Sequence, residues 1–184
     1  MLKVDVATSV KMEAPSPAFA AEAAAEGVAQ LLIRHFRDRN NRPASRPGWP
    51  RSNYWADAAD SVRWGDFSAD SATVVASAPG LRLRLHGGTV RPTGGKKYIA
   101  IPQVPRLAGV WPSEHTEKGG ELIFIPRANG KAILAERSGA DGALTVLYRL
   151  LPQTTHKPDP TVLPEQSEID SAAAAAAAAT LKKN

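Results

Sequence analysis

The sequence predicts an α+β protein, on three observations. One stretch near the N-terminus repeats apolar residues every three or four positions, as one face of a long helix does. Downstream, short apolar runs are separated by Gly, Pro, Asn-Gly and Asp-Gly, as antiparallel strands joined by turns are. A proline-rich passage then leads into a run of alanines. The expected architecture is an N-terminal amphipathic helix packed on a mostly antiparallel sheet, with a long basic Gly/Pro loop and a C-terminal extended arm ending in an Ala-rich helix. The 184 residues suit one core of ordinary size with peripheral arms. The expected division is an N-terminal arm over 1–17, a single α+β core domain over 18–151, and a connector with its terminal helix over 152–184.

Leu2 to Val6 reads as a short strand, after which the arm becomes Pro- and Ala-rich. Ser16 and Pro17 read as the cap and first turn of the helix, because Pro is tolerated where a backbone donor has no partner. Phe19, Ala24, Val28, Leu31, Leu32, His35 and Phe36 form its apolar stripe. Glu22 and Glu26 lie early and Arg34, Arg37 and Arg39 late, which complements the helix dipole. Gly27 costs about 1 kcal/mol relative to Ala inside a helix, so it marks a close approach to another backbone.

NNRPASRPGWP (40–50) is a loop, since its prolines forbid a regular element. A short helical pattern follows, with Tyr54, Trp55, Ala58, Ala59, Val62 and Trp64 on it and Ser52 or Asn53 as its cap. Trp49, Trp55 and Trp64 fall close together and read as loop anchors or a small core. SATVVAS and LRLRLH read as two strands around Ala78, Pro79 and Gly80. In the second, Leu81, Leu83 and Leu85 alternate with Arg82, Arg84 and His86, which predicts a core face and a wet face. On this reading Leu83→Asp or Leu85→Asp unfolds the domain.

The basic loop Gly87 to Lys97 leads to a strand at Tyr98 to Ile101. ELIFIPR and KAILAER read as strands around a turn at Ala128, Asn129 and Gly130, and Asp141-Gly142 introduces the last strand, LTVLYRLLP. Loops containing Pro105, Gly109 and Pro112 are long, which suggests binding. Pro158, Pro160 and Pro164 predict an extended connector. A cap near Ser167 then opens a helix through Ala172–Ala179 to Leu181, closed by Lys182 and Lys183. So short a helix without large apolar side chains is marginal alone, which predicts docking on another surface. A chain ending at Pro164 is expected to keep its fold and to assemble less well.

The absence of cysteine excludes disulfides, thiolate zinc sites and cysteine nucleophiles. No apolar run is long enough to span a membrane, and the N-terminus does not read as a signal peptide, so a soluble protein of a reducing cytoplasm is expected. GGTVRPTGGKK does not have phosphate-loop spacing, because Lys96 is followed by Lys97, Tyr98 and an apolar strand. His35, His86, His115 and His156 are scattered without metal-ligand spacing. Asp57 and Asp60 share a helix face and read as solvating it. No nucleophile elbow, metalloprotease motif or carboxylate pair appears, so no enzyme activity, cofactor, metal or catalytic residue is assigned. The net charge of +5 favours contact with polyanions or acidic protein surfaces. It carries no zinc-finger spacing, aromatic RNA-binding strand or helix-turn-helix, so any nucleic-acid contact would be to phosphates and salt-sensitive.

Three phrases carry a resemblance: HFRDRNNRPASRPGWPRSNYW (35–55), LHGGTVRPTGGKKYIAIP (85–102) and LYRLLPQTTHKPDPTVLP (147–164). In kind and order they resemble the virion-morphogenesis or tail-completion proteins of Mu-like phages, allied to the head–tail joining proteins of long-tailed phages. The resemblance implies a non-enzymatic neck component between portal and tail tube, made in the host cytoplasm and located at the head–tail interface of the virion. It also implies a homo-oligomeric ring, a hexamer or a dodecamer, touching portal or adaptor proteins on one side and tail-terminator or tail-tube proteins on the other. No membrane contact is implied, and non-specific contact with DNA in the lumen stays open. Arg82, Arg84, Arg91, Lys96 and Lys97 are the expected lumen or partner contacts, and Ala172 and Ala176 the expected packing positions on a neighbouring subunit. Two alternatives stand beside this reading: a tail-terminator ring protein, and, from another class, a basic non-specific nucleic-acid-binding module.

Overall fold

A computed structural model describes residues 2–7, 17–43, 46–67, 71–138 and 142–182. Ser16, Asp141 and Lys183 of the sequence reading lie outside them. In chain order the elements are β1 (Leu2–Ala7), α1 (Pro17–Asn40), α2 (Tyr54–Asp60), β2 (Val62–Phe67), β3 (Ser71–Ala76), α3 (Leu81–His86) and β4 (Gly88–Val90). They continue with β5 (Ile99–Pro102), α4 (Pro112–Glu117), β6 (Ile123–Pro126), β7 (Ala132–Ser138), β8 (Ala143–Leu151), β9 (Thr154–His156) and α5 (Gln166–Leu181). Single 3-10 turns lie at Pro105–Leu107 and Pro160–Val162. The fold is α+β, with every strand pair antiparallel among the described residues. The chain forms two compact units. The first comprises Met1–Pro43, Ser52–Gly87 and Lys157–Asn184, and the second Ala44–Arg51 and Gly88–His156.

The first unit is built on α1, which packs on β2 and β3 of a sheet ordered β1-β3-β2 and is flanked by α2 and α5. Its stripe is buried as the spacing predicts: Ala24, Val28, Leu32 and Phe36 are fully inside, with Val74, Leu81, Val162 and Ile169 in the same cluster. Each of the larger side chains contributes about 1.5–3 kcal/mol by leaving water. Phe19, 58% exposed, is the exception.

The terminal helix docks on α1 of its own chain. Ile169, Ala173 and Ala177 are buried in the first core. Gly27 is the close approach that the sequence predicts, since a Cβ there would lie 2.7 Å from both the Ala172 carbonyl oxygen and the Ala176 Cβ. The cap of α5 is Glu165 rather than Ser167. The Glu165 side chain accepts from the backbone of the third helical residue, Glu168, whose own side chain accepts from the Glu165 N–H at 3.0 Å. This reciprocal pairing satisfies two donors at the helix start.

Two local readings are corrected. Leu81–His86 is a helix, not a strand: Leu81 is buried, Leu85 packs against the core one turn later, and Leu83 is half-buried outside that cluster. Asp at Leu83 is therefore expected to cost less than Asp at Leu81. Val62 and Trp64 belong to β2 rather than to the preceding helix, which ends at Asp60. Ser61 marks the break: its hydroxyl donates to the Ala58 carbonyl at 2.8 Å and accepts from the Ser77 N–H at 3.1 Å.

The second unit is a four-stranded sheet ordered β5-β8-β7-β6, with the two-stranded ladder β4-β9 beside it in sequence. The β6–β7 turn has Asn129 at φ 59° and Gly130 at φ 67°, the paired left-handed residues that a tight hairpin turn requires. Its core gathers Leu107, Ala132, Leu147, Tyr148 and Leu150. The fully buried Tyr148 donates its hydroxyl to the Val110 carbonyl at 3.1 Å, and burial first, then Glu114, pushes its phenol above the usual range.

Candidate interaction surfaces

Of the arginines expected to face a partner, Arg84 is used inside the first unit. Its guanidinium lies 4.2 Å from the Tyr54 ring centroid and 5.5 Å from that of Trp55, and its carbonyl accepts the Asp159 N–H at 2.9 Å. Arg39 covers Trp55 at 4.3 Å and pairs with Asp159 at 3.0 Å, and its side chain is only 9% exposed. It also donates to Thr161, whose carbonyl lies 3.1 Å from the His35 Nε2. Through these contacts the connector before α5 is pinned to α1, α2 and α3, and the proline-rich passage folds into a turn that buries Val162.

Asp159 gives this knot an acid sensitivity. The Thr161 hydroxyl, at 2.6 Å, is the main influence holding its carboxyl below the ordinary 3.8, with Arg39 and the Thr161 N–H assisting against burial. A depressed folded pKa contributes stability above the unfolded value, and this is lost as pH falls through the folded one. Because the carboxylate is 42% exposed, solvent screening keeps the effect to about 1 kcal/mol or less. The thermal midpoint of the unaltered chain should fall more between about pH 5 and about pH 3 than that of Asp159→Asn, as followed by circular dichroism.

Arg82 is exposed beside Leu83 and His86 on a shallow surface of the first unit. Arg91 is exposed in the basic loop of the second unit. Ala172 and Ala176 are half-buried against Gly27, as described above. His115 folds onto Gly120, and with Arg106 it meets Glu136, at 3.3 Å from the His115 Nε2. Among the described residues no three His, Asp or Glu side chains converge as a metal site requires, and no helix is long and apolar enough to cross a membrane.

Lys96 and Lys97 stand at the mouth of a cleft of about 330 Å³ in the second unit. Tyr98, Ala100, Trp111, Pro112, Ser113 and Leu150 complete its lining. Trp111 is 56% exposed, and the Lys96 Nζ lies 5.2 Å from its ring centroid.

The sheet itself has two apolar faces: one carries the unit's core cluster, and on the other Ile101, Ile123, Ile125 and Ile133 are half-buried and Ala135 is buried. Residues paired directly across strands share a face. Pro102, Tyr148, Leu134 and Phe124 form one row, and Ala100, Leu150, Ala132 and Pro126 the next; these belong to the core side. On the opposite face, Ile101, Arg149, Ile133 and Ile125 run as one row across all four strands. Ile123, Ala135 and Val146 form the adjacent row, with Leu144 beyond them. Neither hydrophobic core includes these isoleucines, and Leu144 and Val146 are 50% and 37% exposed. The sequence reading missed this face. Its signal is present in IAIP and IFIP, where isoleucine recurs every second residue while the intervening positions are also apolar.

The fold defines an α+β protein of two compact units, each with its own hydrophobic cluster. No protein-family model, no curated protein and no solved structure matches the chain.

Proposed function

We propose that this chain is a structural assembly subunit, a neck or tail-completion component that joins head to tail in a tailed-phage virion, and that it works as a ring rather than as an enzyme. The observation that carries the assembly part is the apolar sheet face of the second unit that lies outside its core cluster, where Leu144 and Val146 are exposed and the isoleucines half-buried. A monomer that stayed alone in water would gain by making such a face polar, whereas contiguous exposed apolar surface marks interaction sites. Obligate homo-oligomer interfaces are apolar at the centre and enriched in arginine, as is a row that sets Arg149 among Ile101, Ile133 and Ile125. A ring also needs two different surfaces per subunit. The exposed Phe19 and Trp64 of the first unit supply a second candidate. The virion part is supported by the three phrases that resemble Mu-like tail-completion proteins.

The test is Leu144→Glu combined with Val146→Glu, at positions already exposed. The double variant should keep its unfolding transition and lose self-association by at least tenfold in sedimentation velocity. Unchanged association with the fold kept would remove this face from the interface. For the neck assignment, the chain should restore head–tail joining to particles assembled without it; failure to incorporate would contradict that assignment.

A further inference from the structure

We infer that the Lys96–Trp111 cleft of the second unit is a docking site for an acidic peptide segment of another protein, taken through one aromatic or aliphatic side chain. The cleft's size, about 330 Å³, is at the small end for ligand pockets and suits one side chain with its flanking backbone. Apart from the two lysines its lining is mainly apolar, with Ala100, Pro112 and Leu150 beside the rings of Tyr98 and Trp111, and Ser113 adds one hydroxyl. A nucleobase would bury more polar edge there than this mainly apolar lining can pair, which is costly, whereas a Phe or Leu side chain would not. The charge at the entrance is of one sign: Lys96 and Lys97 are both exposed, and no carboxylate lines the cleft. Lys96 also lies over Trp111, so an incoming carboxylate would meet an ammonium already held near the ring. A second copy is a poor occupant, because the chain carries a net charge of +5 and would bring like charge to a basic mouth. Ala100 and Leu150 belong to the core side of the sheet, opposite the isoleucine rows. This site is therefore independent of the assembly face.

The experiment is fluorescence anisotropy with the full chain and a fluorescein-labelled Asp-Glu-Phe-Glu-Asp peptide, compared with Lys-Lys-Phe-Lys-Lys, Asp-Glu-Ser-Glu-Asp and a thymidine oligonucleotide. Saturable binding of the first peptide, at least tenfold tighter than each comparator, is expected. Trp111→Ala, and Lys96→Glu with Lys97→Glu, should each weaken it at least tenfold. Both changes are at exposed positions, and retained circular dichroism would show that the fold persists. Lys118→Glu with Lys131→Glu makes the same charge change at exposed positions outside the cleft lining and should weaken binding less than about threefold. The inference is overturned by the absence of binding, by equal loss in the Lys118/Lys131 variant, by indifference to Trp111→Ala, or by preference for the oligonucleotide.

Discussion

A chain ending at Pro164 is expected to lose the cooperative unfolding transition of its first unit. The sequence alone suggests that such a truncation spares the fold, because an alanine run adds little to a core. The structure reverses this expectation, since Ile169, Ala173 and Ala177 are buried with Val28, Leu32 and Phe36. Uncovering one isoleucine and several alanine methyls costs roughly 4–5 kcal/mol, at 1.5–3 for a large side chain and 0.8 per methyl-sized group. The facing side of α1 is uncovered as well. Domains are stable by only about 5–15 kcal/mol, so the loss is comparable to the whole margin. The measurement is thermal unfolding by circular dichroism. A truncated chain whose helical signal melts as sharply, and at the same temperature, as that of the full chain would show that α5 is an accessory rather than part of the core.

Phe36→Ala should be the most costly single change in the first unit, at about 3–5 kcal/mol. The ring is fully buried and stacks on Trp55 at 5.9 Å between centroids, and Trp55 in turn carries Arg39 and Arg84. Removing it leaves a cavity under the residue that organises α2, α3 and the connector, and a stacked arrangement of this kind cannot readily collapse to fill it. Urea unfolding should show a lower midpoint with an unchanged slope, the sign that stability rather than compactness has changed. A cost below about 1 kcal/mol would mean that the site repacks, which is the behaviour of a loosely held core.

How much of this was legible in the sequence depends on whether local signals were enough. The stripe of α1, the glycine that admits α5 and the Asn129-Gly130 hairpin were readable, because each is set by residues within one element or one turn. LRLRLH was misread because alternation suits a strand equally well. What selects the helix is non-local: one turn places Leu81 and Leu85 inward together while Arg84 reaches Tyr54 and Trp55. A strand would send Arg84 to the face opposite the leucines. The three-residue strands β4 and β9 were invisible, since Gly88, Thr89 and Val90 form a strand only by pairing with His156, Thr155 and Thr154.

The candidate surfaces divide in the same way. Lys96 and Lys97 stood out as charge, but the cleft behind them needs Trp111 and Leu150, which the fold brings from other elements. Arg84 stood out for the same reason, and its guanidinium lies over Tyr54 and Trp55 while the residue stays exposed. The isoleucine face could have been suspected from strands apolar on both sides, but only the register shows that four of its residues form one row.

The most direct test of the central proposal is the mass of the purified 184-residue chain by sedimentation equilibrium, across concentration and across salt. The account predicts a closed oligomer of fixed copy number, held by apolar contact and so persisting at about 0.5 M salt, where exposed charge pairs are screened. A 19.5 kDa monomer at every concentration would contradict self-assembly through the sheet face.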